Sequence, residues 1–255
     1  MTKLTIIKVG GQVIDNPQRL SELLTAFAQV SHPKILVHGG GKKASAVCAA
    51  MGIEPQLVEG RRLTDAATLE VVTMVYAGLI NKNIVAQLQA LNCPSMGVSG
   101  ADADLIRAHL RPIDKIDYGY AGDIDLINIK RLKELLALDT ALVFCPITHN
   151  GEGQLLNTNA DTIATELAVA CSEDFNVELR YCFEHSGVLL NIEDSASVLQ
   201  TLQKQRYQQL LTDGTVHSGM IPKLNNAFLA KDRGIRRVIV GNWQLATPGT
   251  EILAT

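Results

Sequence analysis

Lys8 is an unusual residue for its place. It sits inside Leu4 to Val9, an otherwise apolar and β-branched run, two residues before Gly10-Gly11. A buried ammonium is costly unless an anion meets it. Glycine where a strand turns into a helix lets backbone N–H groups approach an anion at the positive helix end. Lys8 with Gly10 and Gly11 therefore points to a phosphate or carboxylate ligand, against the plainer reading of a lysine that snorkels from a strand end. The same kind of turn recurs after Ile35-Leu36-Val37, as His38-Gly39-Gly40-Gly41. A third cluster is Asn157-Thr158-Asn159-Ala160-Asp161, at the start of a helix. Asn159 suits the cap and Asp161 suits the helix dipole, which leaves Asn157 to reach a ligand. A fourth runs from Asp213-Gly214 to Gly219-Met220-Ile221-Pro222-Lys223. Lys223 falls in the first turn of a helix, where a cation opposes the dipole, so the position serves something other than helix stability.

Other chemistries lack their signatures. Walker A needs GxxxxGK followed by Ser or Thr; Gly41-Lys42 has no glycine five positions earlier and Lys43 follows it. The dinucleotide fingerprint GxGxxG is missing at both turns. Gly97-Val98-Ser99-Gly100 has the wrong spacing for a GxSxG nucleophile elbow, and the protein kinase HRD and DFG signatures are missing too. The six histidines form no HxxxH or HExxH, so no dedicated metal site is expected. The five cysteines form no CxxC and read as reduced, buried thiols.

The elements that must hold these residues follow from periodicity. Strand, glycine turn and helix repeat twice, with Leu20, Leu23, Leu24 and Phe27 at helical spacing after the first turn. This predicts a parallel sheet covered by helices. Residues 65–90 read as one long helix. Residues 95–127 read as short strands or a hairpin flap. A helix over 129–137 precedes a buried strand, Ala141 to Cys145, and another helix follows Asn159. After a composition change near Ser172 come a strand (Val177 to Phe183), a helical region around 195–211, a helix entered through Pro222, and a final strand, Arg237 to Val240. The expected architecture is a single α/β unit of two lobes, 1–172 and 173–255.

The chain has 255 residues, 47% apolar and 19% charged, with a formal net charge of −3. That length can bury a sizeable core. The mildly acidic balance gives no electrostatic footprint for nucleic acid or an anionic membrane. The uncharged apolar stretches fall short of the roughly 18 residues of a membrane span, and no secretory signal is visible, so a cytoplasmic location is expected.

These pieces together resemble the amino-acid kinase family, and within it the acetylglutamate kinases. Ile6-Ile7-Lys8-Val9-Gly10-Gly11 is similar to the family's IIKxGG, and His38 to Gly41 to its HGGG. Gly60-Arg61-Arg62-Leu63-Thr64 resembles GxRxT, and Ala77-Gly78 with Asn81-Lys82 resembles AGxxNK. Gly153 to Asp161 is close to GxxxNxNAD, and the fourth cluster resembles a DGGMxxK ending with four residues inserted. The resemblance implies a three-layer αβα sandwich around a mainly parallel open sheet. It implies phosphoryl transfer from ATP to the γ-carboxylate of N-acetyl-L-glutamate, or a close N-acyl-L-glutamate such as N-succinyl-L-glutamate, in arginine biosynthesis. Mg2+ would be held mainly by ATP phosphates and water. Lys8 and Lys223 would flank the transferring group, with Asp161 orienting both. Gly10, Gly11 and Gly40 would give N–H groups to phosphate oxygens, and Glu184, Gly187 and Met220 would belong to the nucleotide side. Arg62 would fork onto the substrate α-carboxylate. Asn157, Gly40 and Gly41 would hold the rest of the amino acid. The lobe 1–172 would take the acyl amino acid and 173–255 the nucleotide.

The chain departs from the family at Phe183-Glu184-His185-Ser186-Gly187, where a Ser/Thr-Asp-Val-x-Gly segment is usual. Glu178 to Cys182 is also more polar than a usual central strand, and Gly241 to Thr250 is short enough to have lost a helix. Two alternatives stand beside the leading one: another phosphotransferase of the family, or a non-catalytic sensor with the same fold. Because β-structure begins within a few residues of Met1, no extra N-terminal helix fits, and a homodimer insensitive to arginine is expected, with helix 65–90 at the interface. Arg61 could meet the extra carboxylate of a succinyl group, provided its segment is a loop rather than a strand.

Overall fold

Leu4, Ile6, Ile7 and Val9 are apolar on both sides of their strand, which suits a strand with helices on each face. They form β1 (Lys3–Val9) at the middle of the computed structural model, which describes all residues except 59, 192, 195, 217–219 and 255. The chain then runs through α1 (Gly11–Ile14), α2 (Pro17–Ala28), β2 (Lys34–His38) and α3 (Gly41–Ala50). A short pair, β3 (Leu57–Val58) and β4 (Arg61–Arg62), precedes α4 (Ala66–Thr73), a π-helical stretch (Met74–Ile80) and α5 (Asn81–Ala90). Next come β5 (Ser95–Val98), β6 (Ile106–Leu110), β7 (Gly122–Ile127), α6 (Ile129–Leu136), β8 (Ala141–Phe144), β9 (Ile147–His149), β10 (Leu155–Asn157) and α7 (Ala160–Cys171). The last part is β11 (Asn176–Phe183), β12 (Thr201–Leu202), α8 (Lys204–Thr212), α9 (Ile221–Asp232), β13 (Arg237–Asn242) and β14 (Thr250–Ile252).

One eight-stranded sheet has the order β12-β14-β13-β11-β1-β2-β8-β5. Its pairs are parallel except β13 with β14. Alternation sorts the core. Leu4, Ile6, Phe144 and Tyr181 pack on one face with Ile163 and Leu167 of α7 and Leu224 of α9. Ile7, Val9 and Val143 pack on the other with Leu24 and Phe27 of α2 and Val72, Ile84 and Leu88 of the long helix. This is the expected three-layer αβα sandwich. A second sheet, β10-β9-β6-β7, carries the flap at the C-terminal ends of the central strands.

The expected helical region around 195–211 begins only at Lys204, because Thr201 and Leu202 pair with β14 and bury Leu202 completely. Arg237 to Val240 is not the final strand: β13 runs to Asn242, and β14 returns beside it. The helix Ala66–Ala90 is long and apolar enough by length and composition to cross a bilayer, with a mean hydropathy of 1.2 in its most apolar window. Its inner side is part of the protein core, through Val71, Val75, Tyr76 and Ile80, while Met74 and Leu79 are exposed.

Candidate functional site

A cleft of about 210 Å³ opens where β1, β2 and α7 converge, lined by Lys8, Gly11, Gly39 to Gly41, Arg62, Asn157 and Asp161 among others. Lys8 lies opposite Val37 of β2 and Tyr181 of β11, in mid-sheet. It is only 7% exposed. Its ammonium meets Asp161 Oδ1 at 2.7 Å, which answers the cost of burying it. Asp161 is placed by its cap. Asn159 Oδ1 accepts from the N–H groups of Asp161 (2.9 Å) and Thr162 (3.1 Å), so α7 starts there with its carboxylate in the first turn.

The two glycine turns differ. Gly40 has φ +147°, and a Cβ there would stand 2.2 Å from Ile80 Cδ1. Only glycine fits that backbone and that approach. Gly40 caps α3, whose first residue is Gly41. Gly11 opens α1, a single turn with little dipole of its own. Gly10 corrects its expectation. Its N–H donates to the Cys182 carbonyl at 3.0 Å, and a Cβ would lie 3.3 Å from that oxygen. The donor assigned to a phosphate is thus engaged by β11, and Gly10 serves the close approach of that strand.

Arg62 is buried on β4. One terminal nitrogen, Nη2, donates to the Gly41 carbonyl and to Ser45 Oγ, both at 2.8 Å. The other, Nη1, is buried without a hydrogen-bond partner among the described residues. A guanidinium fixed through one nitrogen and unsatisfied through the next is prepared for a carboxylate. Asn157 donates to Thr64 Oγ1 at 3.0 Å, and its backbone N–H donates to the Tyr120 carbonyl. The flap crosses here at close quarters: a Cβ on Gly122 would lie 2.7 Å from Thr158 Oγ1. Burial raises the Tyr76 phenol in the cleft wall, with Arg62 acting the other way. Arg61 also lines the cleft, though it is a residue of β4 and not of a loop.

The remaining expected residues lie apart from this lining. Lys223 is in the first turn of α9, with its Nζ 6.0 Å from the centre of the Phe183 ring. That puts it near the C-terminal end of β11, the neighbour of β1. Glu184 Oε1 is 3.5 Å from Gln12 Nε2 of α1. Gly187 is a packing glycine: a Cβ there would stand 2.6 Å from Thr250 Oγ1 and 2.7 Å from Val198 Cγ1. Met220 is buried in the core with Leu224. Both Gly187 and Met220 thus have a packing role, beside which their expected place on a nucleotide remains a proposal. Gly219 lies outside the described residues. Among the described residues no cluster of three His, Cys, Asp or Glu side chains could hold a metal ion. Periodicity alone had absorbed Tyr76 into the long helix and given no sign that it faces the cleft; Thr64 and Ser45 carried no signal beyond their motif or helix.

The sequence pattern of the Amino acid kinase family matches residues 3–242. An acetylglutamate kinase of Cytophaga hutchinsonii is 51% identical over 94% of this chain and 91% of its own length. One from Bacteroides thetaiotaomicron is 48% identical over 93% of each chain, and one from Methanopyrus kandleri 37% identical over 94% of this chain and 95% of its own. Among solved structures, the smu.665 protein of Streptococcus mutans superposes with a TM-score of 0.80 at 26% identity, covering 98% of both chains. N-acetylglutamate synthase of Neisseria gonorrhoeae shares the fold at a TM-score of 0.82 and 22% identity, over 98% of this chain and 59% of its own.

Proposed function

The chain belongs to the amino acid kinase family, and from that premise we propose that it transfers the γ-phosphoryl group of ATP to the γ-carboxylate of N-acetyl-L-glutamate, a step of arginine biosynthesis. The observation that carries the reading is the cleft in which the Lys8–Asp161 pair faces the buried, half-satisfied guanidinium of Arg62. One carboxylate of the acceptor pairs with Arg62, and Asn157 and the Gly40-Gly41 backbone hold the amino acid around it. The other carboxylate attacks the γ-phosphorus in line, and ADP leaves. Such a transfer needs positioning and charge neutralisation more than covalent chemistry. Lys8 neutralises charge on the phosphoryl oxygens, and Asp161 holds the Lys8 ammonium in place. Lys223 approaches the same group from α9. Gly11 and Gly40 supply N–H groups, while Gly10 keeps β11 close.

ATP would enter from the 173–255 side as its magnesium complex, with the metal on phosphate oxygens and water. The 1–172 lobe would take the acyl amino acid. Exposed Met74 and Leu79 on the long helix support a homodimer through that helix, and the five free, buried cysteines go with a cytoplasmic setting. A second reading replaces acetyl by succinyl. It is supported by Arg61, a second arginine on the cleft wall, and weakened by that residue's place on a strand. A coupled assay with ATP and a panel of N-acetyl-, N-succinyl- and unacylated glutamate, carbamate and isopentenyl phosphate tests the reading. ADP release should follow only the N-acylglutamates. Turnover of the other acceptors, or none at all from folded protein, would contradict it.

A further inference from the structure

His38 and Asn81 are both fully buried, and neither lines the cleft. His38 ends β2, with its Nδ1 2.8 Å from the Gly39 carbonyl oxygen and its Nε2 3.2 Å from Asn81 Nδ2. That amide nitrogen also donates to the Val143 carbonyl at 2.8 Å. The amide oxygen of Asn81 accepts from Lys82 Nζ at 3.2 Å, and Lys82 Nζ also reaches the Gly97 carbonyl at 3.0 Å. An ammonium can only donate and a carbonyl only accept, so these contacts fix which way the Asn81 amide points. Asn81 therefore presents an N–H to His38, and Nε2 accepts it. A neutral imidazole carries one N–H, which must then be on Nδ1 and directed at Gly39. Burial holds the ring neutral: it pushes the imidazole from 6.5 down to about 4, and the nearby Lys82 charge acts in the same direction.

The consequence lies across one peptide bond. In a trans peptide the C=O and the N–H point in opposite directions. The Gly39 carbonyl is turned to the imidazole, so the Gly40 N–H is turned away from it; Gly39, Gly40 and Gly41 all border the cleft, and His38 does not. Gly40 is packed against Ile80, which closes the π-helical stretch, and Asn81 is the next residue. One turn of the long helix thus seats Gly40 and orients the ring that turns its N–H. Interruptions of this kind in a helix often mark functional positions.

We propose that His38, locked as its Nδ1–H tautomer by Asn81, is a positioning residue for the phosphoryl-binding N–H of Gly40. The inference rests on the kinase reading above. It does not make His38 an acid, a base or a ligand. Its work is to keep one backbone donor aimed without reorganisation during transfer.

The test combines a proton location with kinetics on the full chain. Protein labelled with 15N-histidine should show His38 protonated on Nδ1 alone at neutral pH. His38→Phe should lower kcat about tenfold, less than the ~10²-fold typical of deleting an oxyanion donor outright, with KM for the acylglutamate little changed. His38→Asn, whose amide can take the place of Nδ1–H, should recover most of that loss. Asn81→Asp should move the ring proton toward Nε2 and lower kcat likewise. An Nε2–H or charged ring in active wild-type protein would overturn the inference, as would equal kcat in His38→Phe and wild type, or equal loss in His38→Asn and His38→Phe. If His38→Phe does not fold, the tautomer together with the His38→Asn rate still decides. Wild-type protein that releases no ADP with any N-acylglutamate would instead overturn the kinase reading itself, and this inference with it.

Discussion

β1 and β11 lie side by side, and each buries a cation. Lys8 is 7% exposed and Arg180 is 5% exposed. Lys8 meets a carboxylate, Asp161, in the first turn of α7. Arg180 meets backbone: its guanidinium donates to the Leu245 carbonyl at 2.9 Å and to the Thr247 carbonyl. It thereby ties the segment between β13 and β14, which holds no helix, to the sheet. A buried cation in a strand announces a partner, and the partner decides its meaning. Asp161 borders a cleft, which supports the role in phosphoryl transfer proposed for Lys8. The Leu245 and Thr247 carbonyls belong to a loop, so Arg180 belongs to the scaffold. The unusual polarity of Glu178 to Cys182 is therefore structural and takes nothing from the acceptor half.

The sharpest way to break this comparison is to remove each cation. Lys8→Ala should lower kcat by at least ~10², the magnitude of lost electrostatic stabilisation, with an unchanged circular dichroism spectrum. Lys223→Ala and Asp161→Asn should fall in the same range. Arg180→Met should leave kcat near wild type and cost about 1–3 kcal/mol of stability in urea unfolding, because buried carbonyl acceptors are left unmatched. If instead Arg180→Met abolished turnover in folded protein, the division between the two strands would be wrong.

A smaller effect separates binding from chemistry within the cleft. Arg62→Leu should raise KM for the acylglutamate by about 10–150-fold, the equivalent of 1.5–3 kcal/mol for a charge-assisted hydrogen bond, with a lesser change in kcat. A kcat loss with unchanged KM would move Arg62 out of carboxylate binding.

His38 supplies a pH test. Its folded value, about 4, lies below its ordinary 6.5. The unfolded chain therefore binds a proton first as pH falls. The stability that His38 contributes is present above pH 6.5 and is lost between 6.5 and about 4, by roughly 3 kcal/mol in full. Urea unfolding of wild type should show that loss, and His38→Asn should show a flatter profile. The smallest expected effect is at Arg61. Arg61→Leu should narrow any preference for N-succinylglutamate over N-acetylglutamate; equal loss with both would leave Arg61 a wall residue only.

Much of the cleft was legible because its residues break local rules. A lysine in an apolar strand, paired arginines after a glycine and amides beside a helix cap are all visible without a partner in view. What escaped depends on distant chain. Gly10 looked like a phosphate donor, but Cys182 from β11 takes its N–H. Gly187 and Met220 have packing reasons that only distant chain supplies: Thr250 and Val198 crowd the glycine, and the methionine lies in the core. Tyr76 read as a helix residue, since nothing local shows that it lines the cleft; Asn81 stood out only through its AGxxNK resemblance, with no sign of its contact with His38. The fold followed the same division. The apolar runs of the central strands were legible, whereas β12 and β14, two and three residues long, exist only through each other and β13.

The central claim is that the Lys8–Asp161 cleft makes an acyl phosphate. Trapping with hydroxylamine measures that product directly, since an acyl phosphate yields a hydroxamate and a carboxylate does not. With ATP, Mg2+ and N-acetyl-L-glutamate, wild-type protein should form the hydroxamate in step with ADP, and folded Lys8→Ala should form it at least ~10²-fold more slowly. ADP release without hydroxamate, or hydroxamate formation by Lys8→Ala at the wild-type rate, would contradict the account.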